Sequence, residues 1–262
     1  MLMPTFLRSA AERLCRDVRF RARLPRRFGR RPIHLSPGNQ LGVLKPGDAK
    51  FEAYLLRWVD RFIRPGDVVW DVGANMGIFS FPAAHAGAVV VSFEPDPFNQ
   101  DLLARTRADN PDLDVTIVHA AVSDKVGEAA FRVSVRGRSA NSLVGAVAGS
   151  DLGGVRELLT VKTVTLDWAL ERHPAPTFIK CDAEGAELTI LRGASRVLTT
   201  ARPLIEIEVA RKNSVPCREI LSAHDYQVFD ALDPVDPDRP VTVPPWETLA
   251  IPREKIPLYV GR

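Results

Sequence analysis

DVVWDVGANMG, residues 67–77, joins a short apolar run to a turn carrying two glycines. Asp67 to Val72 is apolar and β-branched enough for a strand covered on both faces. The stretch Ile78 to Ala86 suits a helix, and Ala88 to Phe93 (AVVVSF) reads as a second buried strand. The alternation continues with a helix around Phe98 to Ala108 and strands at Val115 to His119 and Thr177 to Cys181. A helix then follows with Leu188, Leu191 and Leu198 on its buried side. Beyond it come a strand at Leu204 to Val209, a helix near Arg218 to His224, and strands at Tyr226 to Phe229 and Thr248 to Ile251. Upstream, Phe51, Tyr54, Leu55, Trp58, Val59 and Phe62 recur at helical spacing until Pro65-Gly66 stops them. Only Gly127 to Gly154 shows no regular period. Repeated strand–helix units predict an α/β fold, with a Rossmann-like, doubly wound, mostly parallel sheet of about seven strands.

Hydrophobic residues make up 45% of the chain and charged residues 26%, which is too polar for a membrane protein. No apolar run approaches the roughly 18 residues of a spanning helix, and residues 1–10 lack a signal-peptide core. Cys15, Cys181 and Cys217 are dispersed and form no CxxC pair, which fits a reducing cytoplasm. Charge is uneven. Residues 1–31 hold ten Arg against Glu12 and Asp17, a net +8, while the rest of the chain is net −5. The expectation is a basic N-terminal extension and linker over residues 1–45, either an amphipathic helix broken at Pro25 or a solvated arm, and a catalytic domain over residues 46–262. Ten arginines so placed suit peripheral contact with an anionic membrane, at its inner face.

In an open α/β sheet ligands bind beyond the carboxyl ends of the strands. Gly73 and Gly77, after the first strand, let the backbone turn tightly and approach a ligand. Glu94 ends the second strand 23 positions after Asp71, which suits a carboxylate that accepts hydrogen bonds from ribose hydroxyls. Together they indicate an adenosine-containing cofactor. A dinucleotide wants three glycines and a helix N-terminus facing pyrophosphate, whereas this turn is GxxxG with Asp71 beside it, where a carboxylate repels phosphate. S-adenosylmethionine carries an ammonium and a sulfonium in place of phosphate, and suits an acidic mouth. After the third strand, Asp124 is placed either to bond the adenine amino group or merely to shape a turn. Lys180-Cys181-Asp182-Ala183-Glu184-Gly185-Ala186-Glu187 brings a cation and three carboxylates to a strand end, more than helix capping needs. Methyl transfer to an aliphatic hydroxyl needs a base near the acceptor, and Asp182 and Glu184 are the candidates. Glu206 and Glu208 point to one face of the next strand, Glu208 nearer its carboxyl end, with a buried structural pair as the competing role. His85 and His119 are further candidate bases, and Cys181 reads as a small buried thiol. No spacing compels a metal, and none is expected.

Taken in order, PGDVVWDVGANMGIFS from Pro65, FEPDPFN from Phe93, AVSD from Ala121, TLDWAL from Thr165, IKCDAEGAELTILRGA from Ile179 and RPLIEIE from Arg202 resemble the FkbM family of methyltransferases. The resemblance covers roughly Phe51 to Pro252. It implies a class I methyltransferase fold and methyl transfer from S-adenosylmethionine to hydroxyls of sugars, glycolipids or polyketide-type natural products. It matches Asp71, Gly73, Asn75 and Gly77 to the cofactor loop, Glu94 to the ribose ligand, and Asp182, Glu184 and Glu187 to the acidic strand-end motif. Arg136 to Gly154 matches poorly apart from Asn141-Ser142-Leu143, so acceptor recognition is expected there. The alternatives are a nucleic-acid methyltransferase that uses the basic arm for phosphate contacts, and a non-catalytic cofactor-binding module. A net acidic domain opposes the first, and retention of the acidic motif the second.

Overall fold

The structure is a computed structural model, and it describes residues 14–51, 53–135, 137–146 and 154–261, with the side chains of residues 53 and 54 outside the description. In chain order the strands are β1 (Phe20–Arg23), β2 (Pro32–Leu35), β3 (Val68–Val72), β4 (Val89–Phe93), β5 (Val115–Val118), β6 (Ala121–Val122) and β7 (Gly127–Ser134). They continue with β8 (Ser142–Leu143), β9 (Val155–Val164), β10 (Phe178–Cys181), β11 (Leu204–Glu208), β12 (Tyr226–Asp230) and β13 (Glu247–Pro252). Seven of them form the central sheet in the order β12-β13-β11-β10-β3-β4-β5. β11, β10, β3, β4 and β5 run parallel, and β13 is antiparallel to both neighbours. The chain starts in the middle at β3, moves to one edge, and returns to β10. The strand order therefore reverses between β3 and β10, where open sheets bind ligands.

Alternation along the strands splits the core in two. Val69, Val90, Phe178 and Leu204 face one layer, with Trp58, Phe79 and Leu102 from the helices Ala53–Phe62 and Pro97–Ala108 and the turn before Ser80–His85. Trp70, Val91, Ile179 and Ile205 face the other, with Leu191 and Leu221 from the helices Glu187–Arg192 and Ser214–Ala223. Cys181 lies in this second layer, where burial raises its thiol well above the ordinary value, in keeping with an inert thiol.

Two regions depart from the sequence reading. The span expected to be irregular, residues 127–154, opens with a full strand: β7 pairs antiparallel with β9, and β6, β9, β7 and β8 form a second sheet inserted between β5 and β10. Glu128 and Glu157 sit among its exposed positions and mask the period-two signal that a half-buried strand shows.

The second departure is the basic segment, which forms a hairpin where a helix or a solvated arm is expected. β1 and β2 pair antiparallel, and Ala22, Leu24, Phe28, Ile33 and Leu35 are buried in the first core layer. This packing carries the folded unit forward of the boundary expected at residue 46. The arginines are used within the fold: Arg19 pairs with Asp101, Arg21 with Asp109, Arg27 with Asp60 and Arg31 with Asp112. Along Phe20-Arg21-Ala22-Arg23-Leu24, Ala22 and Leu24 are buried and Phe20 is half-buried, while Arg21 reaches Asp109 and Arg23 Nη1 donates to the Arg30 carbonyl. The expected membrane contact is thereby left without support in the described segment. The part of that expectation resting on residues 1–13 lies outside the described residues. Among the described residues no helix is long and apolar enough to cross a membrane.

Candidate active site

The turn after β3 takes the shape its glycines allow. Gly73, Asn75 and Gly77 all have positive φ, 77°, 52° and 83°. A Cβ on Gly73 would run into the Asp182 carbonyl oxygen, so glycine there lets the ends of β3 and β10 touch. Asn75 tolerates the left-handed region as few side chains do. Its backbone N–H donates to Glu94 Oε2 at 2.7 Å, and its side-chain oxygen accepts from Asn39.

Glu94, at the end of β4, is 4% exposed, and its Oε1 accepts the Asp96 N–H at 2.8 Å. Burial, and after it the charge of the neighbouring Asp96, pushes its carboxyl up to about 8 despite these two backbone donors. Glu94 lines a cavity with Gly73, Asn75, Asn99, Val122, Phe131 and Leu143. Its lining thus combines the Glu94 carboxylate with the apolar side chains of Val122, Phe131 and Leu143.

A second cavity of about 190 Å³ adjoins the first and shares Gly73, Asn75, Ser139, Asp182 and Glu184 with it. Gln40, Lys180 and Glu208 complete its polar lining. Sheet register sets the surroundings of Lys180. Asp71, Lys180 and Glu206 are direct cross-strand partners on β3, β10 and β11, so the lysine stands between two acidic residues in the sheet. Lys180 Nζ lies 3.5 Å from Asp71 Oδ1 and 3.4 Å from Asp182 Oδ2, and Ser80 Oγ donates to Asp71 Oδ2 at 2.5 Å. Burial disfavours the Lys180 charge, yet its surrounding acids hold the ammonium well above the ordinary lysine value.

Glu184, at φ 48°, is raised to about 8 by burial first and then by Asp182 and Glu187. Glu208 is raised to about 9 by burial and by Asp182 and Glu247. Glu206 is raised well above the usual range by burial and by Glu247, which describes a proton held within a buried acid pair.

The expected site residues therefore separate into three groups. Gly73, Asn75, Glu94, Asp182 and Glu184 converge on the two cavities. Asp71, fully buried, lines neither, and serves to hold Lys180 and Ser80; an in-sheet position turns its side chain into the core layer. Gly77 packs its backbone against Phe81 and Leu103 and shapes the loop from behind. Asp124 is exposed on a turn, accepts from Ser123 Oγ at 3.4 Å and lines neither cavity, whereas Ala121 and Val122 line the first. Glu187, matched by resemblance to the acidic motif, accepts from the Gly185 N–H and Asn213, a structural role. His119 is exposed, and His85 packs beneath Gly29 of the hairpin. Sequence reasoning missed Phe131, Arg138, Ser139 and Gln40, because distant segments supply them. The match at Asn141-Ser142-Leu143 was the one usable signal. These residues line the first cavity, where acceptor recognition had been expected of the surrounding segment, and residues 147–153 lie outside the description.

The reversed strand order and the adjoining cavities define a Rossmann-like methyltransferase fold of class I. Residues 71–228 match the methyltransferase FkbM domain, and the chain belongs to that family, whose cofactor is S-adenosylmethionine. It is 28% identical over 160 residues to the hexuronic acid methyltransferase AglP of Haloferax volcanii, covering 60% of this chain and 62% of that protein. It is 35% identical over 105 residues to the 31-O-demethyl-FK506 methyltransferase FkbM of Streptomyces tacrolimicus, covering 36% of this chain and 39% of the relative. The chain thus spans less than two thirds of the length of either. Among solved structures it is similar to the methyltransferase FkbM of Methylobacillus flagellatus KT, with 19% identity, a TM-score of 0.44, and 82% of this chain and 57% of that one covered.

Proposed function

We propose that the protein is an S-adenosylmethionine-dependent O-methyltransferase acting on a hydroxyl of a sugar, glycolipid or polyketide-type natural product, with Asp182 or Glu184 taking the hydroxyl proton. The observation that carries this reading is that both acids line the wall shared by the two cavities, one suited to adenosine and the other open for an acceptor.

The residues present fit the cofactor. Glu94 suits the ribose hydroxyls, Val122, Phe131 and Leu143 suit the base, and the acids around Lys180 suit a cationic tail better than a phosphate. When bound, S-adenosylmethionine supplies a methyl carbon already activated for displacement. The chain's own residues then have to orient the acceptor oxygen and remove its proton. Glu184, held at about 8, is mostly protonated at about pH 7 and half ionised near pH 8, so its carboxylate becomes available to accept a proton as the pH rises toward that value. Asp182 adjoins Lys180 Nζ, which orients its carboxylate. The names of the relatives, a hexuronic acid methyltransferase and an O-demethyl-FK506 methyltransferase, support an oxygen-bearing small-molecule acceptor.

The test is full-length protein with labelled S-adenosylmethionine and a panel of sugar nucleotides, glycolipids and macrolides. Labelled product is expected from at least one class. Asp182→Asn or Glu184→Gln, whichever removes the base, is expected to cut turnover by about 10²-fold with cofactor affinity kept. Near-full turnover in both variants would move the base elsewhere, and Glu208 would be tested next.

A further inference from the structure

Arg138 comes from the inserted sheet region, yet it is fastened to the main domain. Its guanidinium is 9% exposed, and Nη1 donates to Asp96 Oδ2 at 2.6 Å. Asn141 Nδ2 donates to the same oxygen at 2.7 Å, while its Oδ1 accepts the Ser134 N–H at the end of β7. Asp96, 1% exposed, uses its other oxygen to accept the Phe98 N–H at 2.9 Å, capping the helix Pro97–Ala108. The guanidinium also lies 4.3 Å over the Phe98 ring. Asp96 further donates its N–H to Glu94, so the ribose carboxylate and Arg138 are anchored on one residue.

One atom is left over. Among the described residues Arg138 Nε is buried without a hydrogen-bond acceptor, and Arg138 lines the cavity that Glu94 also lines. A buried donor without a partner is costly and calls for an explanation. The charge is already met by Asp96, so a further anion is not required, and what Nε lacks is a neutral acceptor. Adenine ring nitrogens and ribose oxygens are such acceptors.

We propose that Arg138 is a cofactor-binding residue supplied by the inserted sheet: Asp96 latches it over the cavity and its Nε donates to an acceptor atom of the cofactor's adenosine end. The inference rests on the reading of that cavity as the S-adenosylmethionine site. Asn141 is the second arm of the latch and acts through Asp96.

Calorimetry on the full chain tests this with two probes, S-adenosylhomocysteine and methylthioadenosine, which share adenosine and differ in the amino-acid tail. Arg138→Ala is expected to weaken both by about tenfold or more, the scale of one hydrogen bond to a charged donor. Asp96→Asn keeps an oxygen for the helix cap and is expected to give a comparable loss, with the double variant no weaker than the poorer single. Binding by Arg138→Ala within about twofold of wild type overturns the proposal. So does a loss seen with S-adenosylhomocysteine but not with methylthioadenosine, which would move Arg138 to the tail. Should Arg138→Ala fail to fold, hydrogen exchange on the wild-type chain decides: amides of residues 138–143 gain protection with S-adenosylhomocysteine, and unchanged protection overturns the latch. A wild-type chain that binds neither probe overturns the cofactor reading and this inference with it, whereas wild-type binding matched by Arg138→Ala overturns this inference alone.

Discussion

Gly73 and Glu94 show what single residues decide. Gly73 has φ 77° and lies against the Asp182 carbonyl, so Gly73→Ala combines backbone strain with a steric clash. Its expected cost is about 1–3 kcal/mol from the strained backbone alone, together with weaker cofactor binding, both read from thermal melts with and without S-adenosylhomocysteine. Glu94→Ala is expected to weaken S-adenosylmethionine by about 1.5–3 kcal/mol, the worth of hydrogen bonds to a charged group, and unchanged affinity would reject the ribose assignment. Because burial holds free Glu94 at about 8, ribose donors meet an ionised carboxylate only as the pH rises toward that value. Affinity should therefore climb with pH up to about 8 and level off above it, by at most about tenfold per pH unit. Glu94→Gln should flatten that slope.

At the scale of elements, the hairpin β1–β2 carries the sharpest expectation. Ile33 and Leu35 are fully buried in the main core, and Leu24 is 2% exposed. Ile33→Ala is expected to cost about 2–5 kcal/mol by leaving a cavity, measured by denaturant unfolding. Arg27→Ala breaks a half-exposed pair with Asp60 and should cost no more than about 1 kcal/mol. The contrast matters for truncation. Removing residues 1–31 would strip β1 together with Ala22, Leu24 and Phe28, so the shortened chain should melt well below the full one. An unchanged melt would show that the hairpin contributes no stability.

Across the whole molecule, seven acids among the described residues, Asp71, Glu94, Glu184, Glu187, Glu206, Glu208 and Glu247, bind protons more tightly in the fold than in the unfolded chain. Glu94 and Glu184 stand at about 8 and Glu208 at about 9, each raised first by burial. A raised acid pKa means the native state holds protons that the unfolded state has released. Stability from these groups is full below the ordinary carboxylate value and is lost as pH climbs through the folded values. The ligand-free protein should therefore melt at progressively lower temperature from about pH 4.5 to pH 9. Glu208→Gln should lessen the decline at its alkaline end. A melting temperature that rises steadily over that window would show that the acids are ionised in the fold.

The sequence by itself determined the frame: the βαβ start at DVVWDVGANMG, the order of the buried strands, the cofactor class, and the position of Glu94, Asp182 and Glu184 at strand ends, where they line the two cavities. Those signals are local, because strands covered on both faces are apolar throughout and ligands sit at the ends of such strands. Asp71 and Asp124 stand at strand ends by the same local signals. Only the tertiary structure turned Asp71 onto Lys180 and left Asp124 in solvent, since side-chain direction depends on sheet register and turn geometry. Only the tertiary structure, likewise, brought Arg138 and Phe131 from the inserted sheet to the cavity lined by Glu94 and set the arginines of the hairpin against Asp60, Asp101, Asp109 and Asp112. Each of these contacts joins residues tens of positions apart, and no periodicity along the chain encodes a pairing at that range.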